Sequence, residues 1–148
     1  MLRSFAGDGP AGLLLLEEAL ALRRTLLEGE PGSANLMRLI TTSLDAIGDQ
    51  CGDADLARAA AAYDESVALS RELLGRTPKS AGAFRDLALG LARAGYARTV
   101  LQDRGGALAR LNEARAIYVR LAAKIPRLQG ELDWILGLIA DAEALPAE

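Results

Sequence analysis

Apolar side chains recur along the chain at helical spacing, separated by short polar or proline-containing stretches. Leu36, Ile40, Leu44 and Ile47 form one such stripe. Two further stripes consist of Phe84, Leu87 and Leu91, and of Leu108, Leu111, Ala114, Ile117 and Leu121. Positions spaced by three or four residues share one face of an α-helix, so these stripes predict helices that bury that face in a core. No stretch shows the alternation of apolar and polar residues, bounded by hairpin turns, that is typical of strands. Ala, Leu and Arg, which favour helix, are the dominant residues. The pattern predicts an all-α protein.

Prolines and serines mark where two of these helices begin. Pro31 and Pro78, which are 47 residues apart, each stop a preceding helix, and Ser33 and Ser80 follow as N-caps. These signals predict one helix from Ser33 to about residue 49 and an equivalent helix from Ser80 to about residue 98. The shared spacing indicates an internal repeat.

A second helix completes each repeat, beginning near Asp55 or Asp103 and ending at the next proline, Pro78 or Pro126. The segment 12–28 matches this second helix, and about 128–145 matches the first. We therefore expect six helices in the order B, A–B, A–B, A within a single domain spanning 1–148. It would contain a partial repeat (8–31), two full repeats (32–78 and 79–126) and a partial repeat (127–145).

The spacing of small and large residues in these pairs resembles that of tetratricopeptide (TPR) repeats. One set consists of Gly95, Ala107, Leu111 and Ala114, and the other of Gly48, Ala59, Tyr63 and Ser66. The period of 47–48 residues exceeds the usual period of about 34. The segments FRDLALGLARAG and DRGGALARLNEARAIYVRLAAKIP are more similar to long-period bacterial variants, which often occur in large multidomain signalling proteins.

The resemblance implies an α-solenoid of antiparallel helix hairpins whose A helices line a concave groove for a peptide or protein. The expected function is a non-catalytic protein–protein interaction scaffold. The candidate groove contacts are Asn35, Arg38, Thr42, Arg85 and Arg93. Arg38 and Arg85 occupy equivalent positions and could bind carboxylates bidentately. The alternative is that each arginine pairs with a neighbouring acidic residue or helix end.

The two terminal helices carry more apolar surface than one buried face needs. The candidate interface residues are Leu13, Leu14, Trp134 and Leu138. A repeat array needs polar caps, so such surface indicates an interface. Either the chain is a fragment of a longer array in a larger protein, or its ends bury each other in a homodimer. The alternative function is therefore a structural, homo-oligomerisation module.

Charge adds one asymmetry to this picture. The net charge of −3 argues against nucleic acid as a partner, although Arg93 to Arg127 contains eight basic residues and two acidic ones. Within it, Arg120, Lys124 and Arg127 follow one another at i, i+4 and i+7. They either stabilise a helix C-terminus or form a docking surface for an acidic partner.

The sequence offers little chemistry for an enzyme. Histidine is absent, Cys51 is the single cysteine, and no phosphate-binding loop motif is present. We expect no catalytic, metal-binding or cofactor-binding residues. The apolar run of residues 11–16 ends at Glu17 and is too short to cross a membrane, so we expect a cytoplasmic protein that binds no membrane.

Overall fold

A computed structural model describes residues 9–147, which form six α-helices. The helices are α1 (Gly9–Gly29), α2 (Ala34–Cys51), α3 (Leu56–Arg76), α4 (Ala81–Val100), α5 (Arg104–Lys124) and α6 (Gln129–Glu143). Short 3₁₀ turns at Gly52–Ala54 and Pro126–Leu128 precede α3 and α6. No strand occurs within residues 9–147, so the prediction of six helices and an all-α fold is confirmed for this range. Their arrangement as a repeat array stays a prediction.

The helices belong to two compact units, one ending at Leu73 and the other beginning at Leu74. The first contains α1, α2 and most of α3, and the second contains the end of α3 followed by α4, α5 and α6. The boundary between the two units falls within α3, and the single repeat domain stays a prediction.

Side-chain caps begin the helices where the sequence predicts them. The hydroxyls of Ser33 and Ser80 each accept the backbone N–H three residues later at 3.1 Å. Asp103 does the same for α5 at 2.9 Å, and the Asp55 carboxylate accepts the N–H of Arg58 at 3.2 Å. Each cap satisfies a backbone donor that has no partner inside its helix, which is worth about 1 kcal/mol.

The core of the first unit forms where the apolar stripe of α2 meets α1 and α3. Met37, Ile40, Leu44 and Ile47 are buried, as is Tyr63 on α3. The Tyr63 ring lies directly against Gly48, leaving no room for a side chain there. Its hydroxyl donates a hydrogen bond of 2.5 Å to Asp49 Oδ1, so the ring packs while its polar end stays satisfied.

The second unit repeats this close approach between α4 and α5. A methyl group placed on Gly95 would lie 2.5 Å from Leu111 Cγ, and Leu111 is fully buried. Ala107 and Ala114, on either side of Leu111, are also fully buried. In each unit, the glycine and the large residue of the spacing seen in the sequence are therefore in direct contact.

Candidate functional sites

One side of α2 presents three of the predicted groove residues to solvent. Asn35, Arg38 and Thr42 are exposed and lie at i, i+3 and i+7, which places them on one helical face. The Thr42 hydroxyl donates to the backbone carbonyl of Arg38 at 3.1 Å. Within residues 9–147, the Arg38 guanidinium has no hydrogen bond or ion pair. This arrangement leaves its planar donors available to a carboxylate.

Arg85, the equivalent residue on α4, is engaged within the second unit. Its Nε lies 2.9 Å from Oε1 of Glu131 and its Nη2 lies 2.5 Å from Oε2, so the contact is bidentate. The buried hydroxyl of Tyr118 donates to the same carboxylate. The structure therefore shows the alternative weighed for Arg85, which is pairing with an acidic side chain. Arg93, the remaining candidate on α4, is half-buried.

The electrostatics of this cluster follow from the shared carboxylate. Hydrogen bonds from Arg85 and then from Tyr118 lower the pKa of Glu131 to about 2. Burial, followed by the hydrogen bond to Glu131, raises the pKa of Tyr118. The pKa of Arg85 is also raised, chiefly by its hydrogen bonds to Glu131. The cluster joins α4, α5 and α6, and at neutral pH it holds one ion pair and a neutral phenol.

The predicted interface residues differ in exposure. Leu14 on α1 and Trp134 on α6 are exposed, and Trp134 leaves 45% of its surface open to solvent. Leu13 is half-buried. Leu138 is buried, with only 9% of its surface exposed, so it offers little surface to a partner.

The structure exposes a stripe of leucines on α1 that the sequence did not predict as a surface feature. Leu15, Leu22 and Leu26 lie at i, i+7 and i+11, within about 40° of one another around the helix. Their exposed fractions are 54%, 61% and 51%. The signal available was the run Leu13 to Leu16, which covers more than one face.

Charged side chains near the contact of α1 and α3 are paired. Arg24 lies 2.5 Å from Glu65, and Arg58 forms an ion pair with Glu17. These four residues border a cleft of about 350 Å³ in the first unit. Because its charges are matched in pairs, the cleft has no excess of either sign to select a charged ligand.

The described residues offer little that resembles a metal centre or a reactive thiol. Cys51 is buried, and burial raises the pKa of its thiol, which disfavours the reactive thiolate. Among residues 9–147, no group of three His, Cys, Asp or Glu side chains is placed to hold a metal ion. None of the helices in this range is both long and apolar enough to cross a bilayer.

Comparison of the chain with protein-family models, with curated proteins and with solved structures found no match.

Proposed function

We propose that this chain is a non-catalytic protein–protein interaction scaffold of the tetratricopeptide-like type. The equivalent contacts of Gly48 with Tyr63 and of Gly95 with Leu111 support the family resemblance. Both contacts join residues of the small-and-large spacing on which the resemblance rests. The long repeat favours a bacterial origin and a cytoplasmic location. We infer that the chain is part of a larger multidomain signalling protein.

The observation that carries the proposal is the exposed leucine stripe of α1. Leu15, Leu22 and Leu26 each leave more than half of their surface in water and share one face. Scattered exposed leucines are ordinary, but aligned ones form a continuous apolar strip, which marks an interaction surface. Burying such a strip against a partner contributes about 25 cal/mol for each Å² removed from water.

The polar face of α2 is the candidate site for a peptide or protein partner. Arg38 is exposed and has no partner within the described range, with Asn35 and Thr42 one turn on either side. A carboxylate could therefore bind the guanidinium without first displacing another acid. Arg85 would first have to break its bidentate contact with Glu131 and leave that carboxylate without its cation, so it is the poorer contact.

Affinity capture from extracts of the source cell tests the partner-binding role. Tagged wild-type chain is compared with Arg38→Ala and with the matched control Arg115→Ala, an exposed arginine on α5. We expect proteins retained by the wild type and by Arg115→Ala to be lost from Arg38→Ala. Equal retention by all three chains would remove the α2 face as the binding site.

Homo-oligomerisation is the second candidate, and the leucine stripe and Trp134 favour it. Two copies that pack their α1 stripes together would bury both stripes without any other partner. Light scattering after size exclusion, over a tenfold concentration range, tests this role. We expect a dimer that becomes a monomer in Leu22→Glu or Trp134→Ala and stays a dimer in Arg38→Ala. A wild-type monomer throughout would exclude self-association and leave the stripe to another protein.

A further inference from the structure

A groove of about 580 Å³ runs along the second unit, between the start of α4 and the last three turns of α5. Its floor is apolar and includes Phe84, Ile117 and Leu121. Its volume lies within the range of about 300–1,000 Å³ that is typical of ligand sites. The groove is therefore large enough to bury several side chains of a bound molecule.

Three cations border this groove. Lys79 precedes α4, and Arg120 and Lys124 lie one turn apart near the end of α5, about 6 Å along the helix axis. All three are exposed, and none has a hydrogen bond or ion pair with another described residue. One carboxylate, Glu113, also lines the groove, and it already takes part in an interaction within the chain.

The hairpin topology gathers the cations at one end. Since α4 and α5 are antiparallel and connected through Gln102, the start of α4 lies beside the end of α5. Lys79, Arg120 and Lys124 therefore lie at the open end of the hairpin, and Glu113 lies about two turns nearer the start of α5 than Arg120. A helix C-terminus alone favours cations, but neither Arg120 nor Lys124 hydrogen-bonds a described carbonyl.

We propose that this groove binds an acidic peptide segment of a partner protein, with apolar side chains on the floor and carboxylates against the three cations. The inference rests on the proposed interaction function and names the chemistry of one partner. The cleft of the first unit, whose arginines are paired with glutamates, provides the contrast within the same chain.

Charge and shape both favour a peptide as the occupant. A chain with net charge −3 repels long polyanions, whereas a short acidic segment meets only the local cations. The apolar floor and the cationic rim match an amphipathic segment that has apolar residues on one face and acidic residues beside them, in the manner of a helix laid in a groove. Among the lining residues, Phe84 is the single aromatic, so the groove lacks a platform for stacking successive bases.

Selection from a display library of random peptides, about a dozen residues long, tests the inference. Selections use wild type, the double variant Arg120→Glu with Lys124→Glu, and the control Arg115→Glu, which changes an exposed arginine of α5 outside the groove. We expect wild type and the control to enrich peptides rich in Asp and Glu with interspersed apolar residues. Thermal unfolding of each variant is measured in parallel, so that a loss of binding is read only from folded protein.

The affinity of the enriched peptides is then measured by fluorescence anisotropy. We expect the double variant to bind at least about tenfold more weakly, and added salt to weaken the wild type. Replacing the peptide carboxylates by amides should weaken binding to a similar extent. Ala116→Glu, at an exposed position that lines the groove, should also weaken binding, whereas Ala109→Glu outside it should not.

Several results would overturn the inference. These are enrichment of peptides without net negative charge, failure to enrich any peptide, and equal binding by the double variant. Binding of phosphatidylserine vesicles in preference to the acidic peptides would also overturn it, by assigning the groove to a membrane surface. If the groove does not bind acidic peptides but capture through Arg38 or self-association through α1 persists, the proposed function stands and this inference alone is wrong.

Discussion

Gly95→Ala should destabilise the protein although alanine is the better helix former. The added methyl would lie 2.5 Å from Leu111 Cγ and 3.3 Å from the backbone oxygen of Ala107, far inside van der Waals contact for the first. Leu111 is fully buried and cannot swing into solvent. Overpacking of this kind costs about 1–3 kcal/mol, and helix propensity returns up to about 1 kcal/mol. We expect a net loss of about 1–2 kcal/mol of unfolding free energy.

Urea denaturation followed by circular dichroism at 222 nm measures this loss. Gly137→Ala on α6 is the matched control, because no atom beyond its own helix lies within 4 Å of the added methyl. The control should gain up to about 1 kcal/mol from helix propensity. A Gly95→Ala protein that gains stability as the control does would refute the close packing of α4 on α5.

Three further predictions concern the cluster, the caps and the thiol. Glu131→Gln should lower the unfolding free energy by about 1–2 kcal/mol at pH 7, because the neutral amide weakens the hydrogen bonds to Arg85 and Tyr118. The loss stays modest because the ion pair is about one-third exposed and is screened by water. Because the folded pKa of Glu131 is depressed to about 2, the stability that this carboxylate contributes is present above its ordinary pKa and is lost as pH falls from about 4.5 towards 2. Urea titrations over this pH range should show a shallower decline of unfolding free energy for Glu131→Gln than for wild type. Equal declines would contradict the pairing. Ser80→Ala should lower the unfolding free energy by about 1 kcal/mol, and an unchanged urea midpoint would remove the capping role. Cys51 should react slowly with a thiol reagent at pH 8 and fully in urea, and rapid reaction in the folded chain would contradict its burial.

Local signals in the sequence were enough to place the helices. Ser33 and Ser80 cap because a serine oxygen reaches a backbone N–H three residues away, which needs no tertiary information. The glycine and the large residue of each matched spacing are in direct contact, because both lie on adjacent helices of one hairpin. Features that are settled within a turn or a hairpin can therefore be predicted from the sequence.

Features that depend on a third helix could not be predicted in this way. Arg85 meets Glu131 across 46 residues, and no periodicity connects them. The exposure of Leu22 and Leu26 depends on which face of α1 packs, and a helix with leucines on more than one face does not specify this. In the structure, α1 buries Leu20, which lies on another face.

Quantitative affinity capture with self-association read in the same experiment tests the interaction proposal most directly. Tagged wild-type chain, its Leu22→Glu and Arg38→Glu variants and the Arg115→Glu control are incubated with source-cell extract to which an untagged copy has been added. We expect wild type and control to retain defined proteins, or the untagged copy, and at least one of the two surface variants to lose them. Retention of nothing above an inert tagged protein, or identical retention by all four chains, would contradict an interaction scaffold that uses these surfaces.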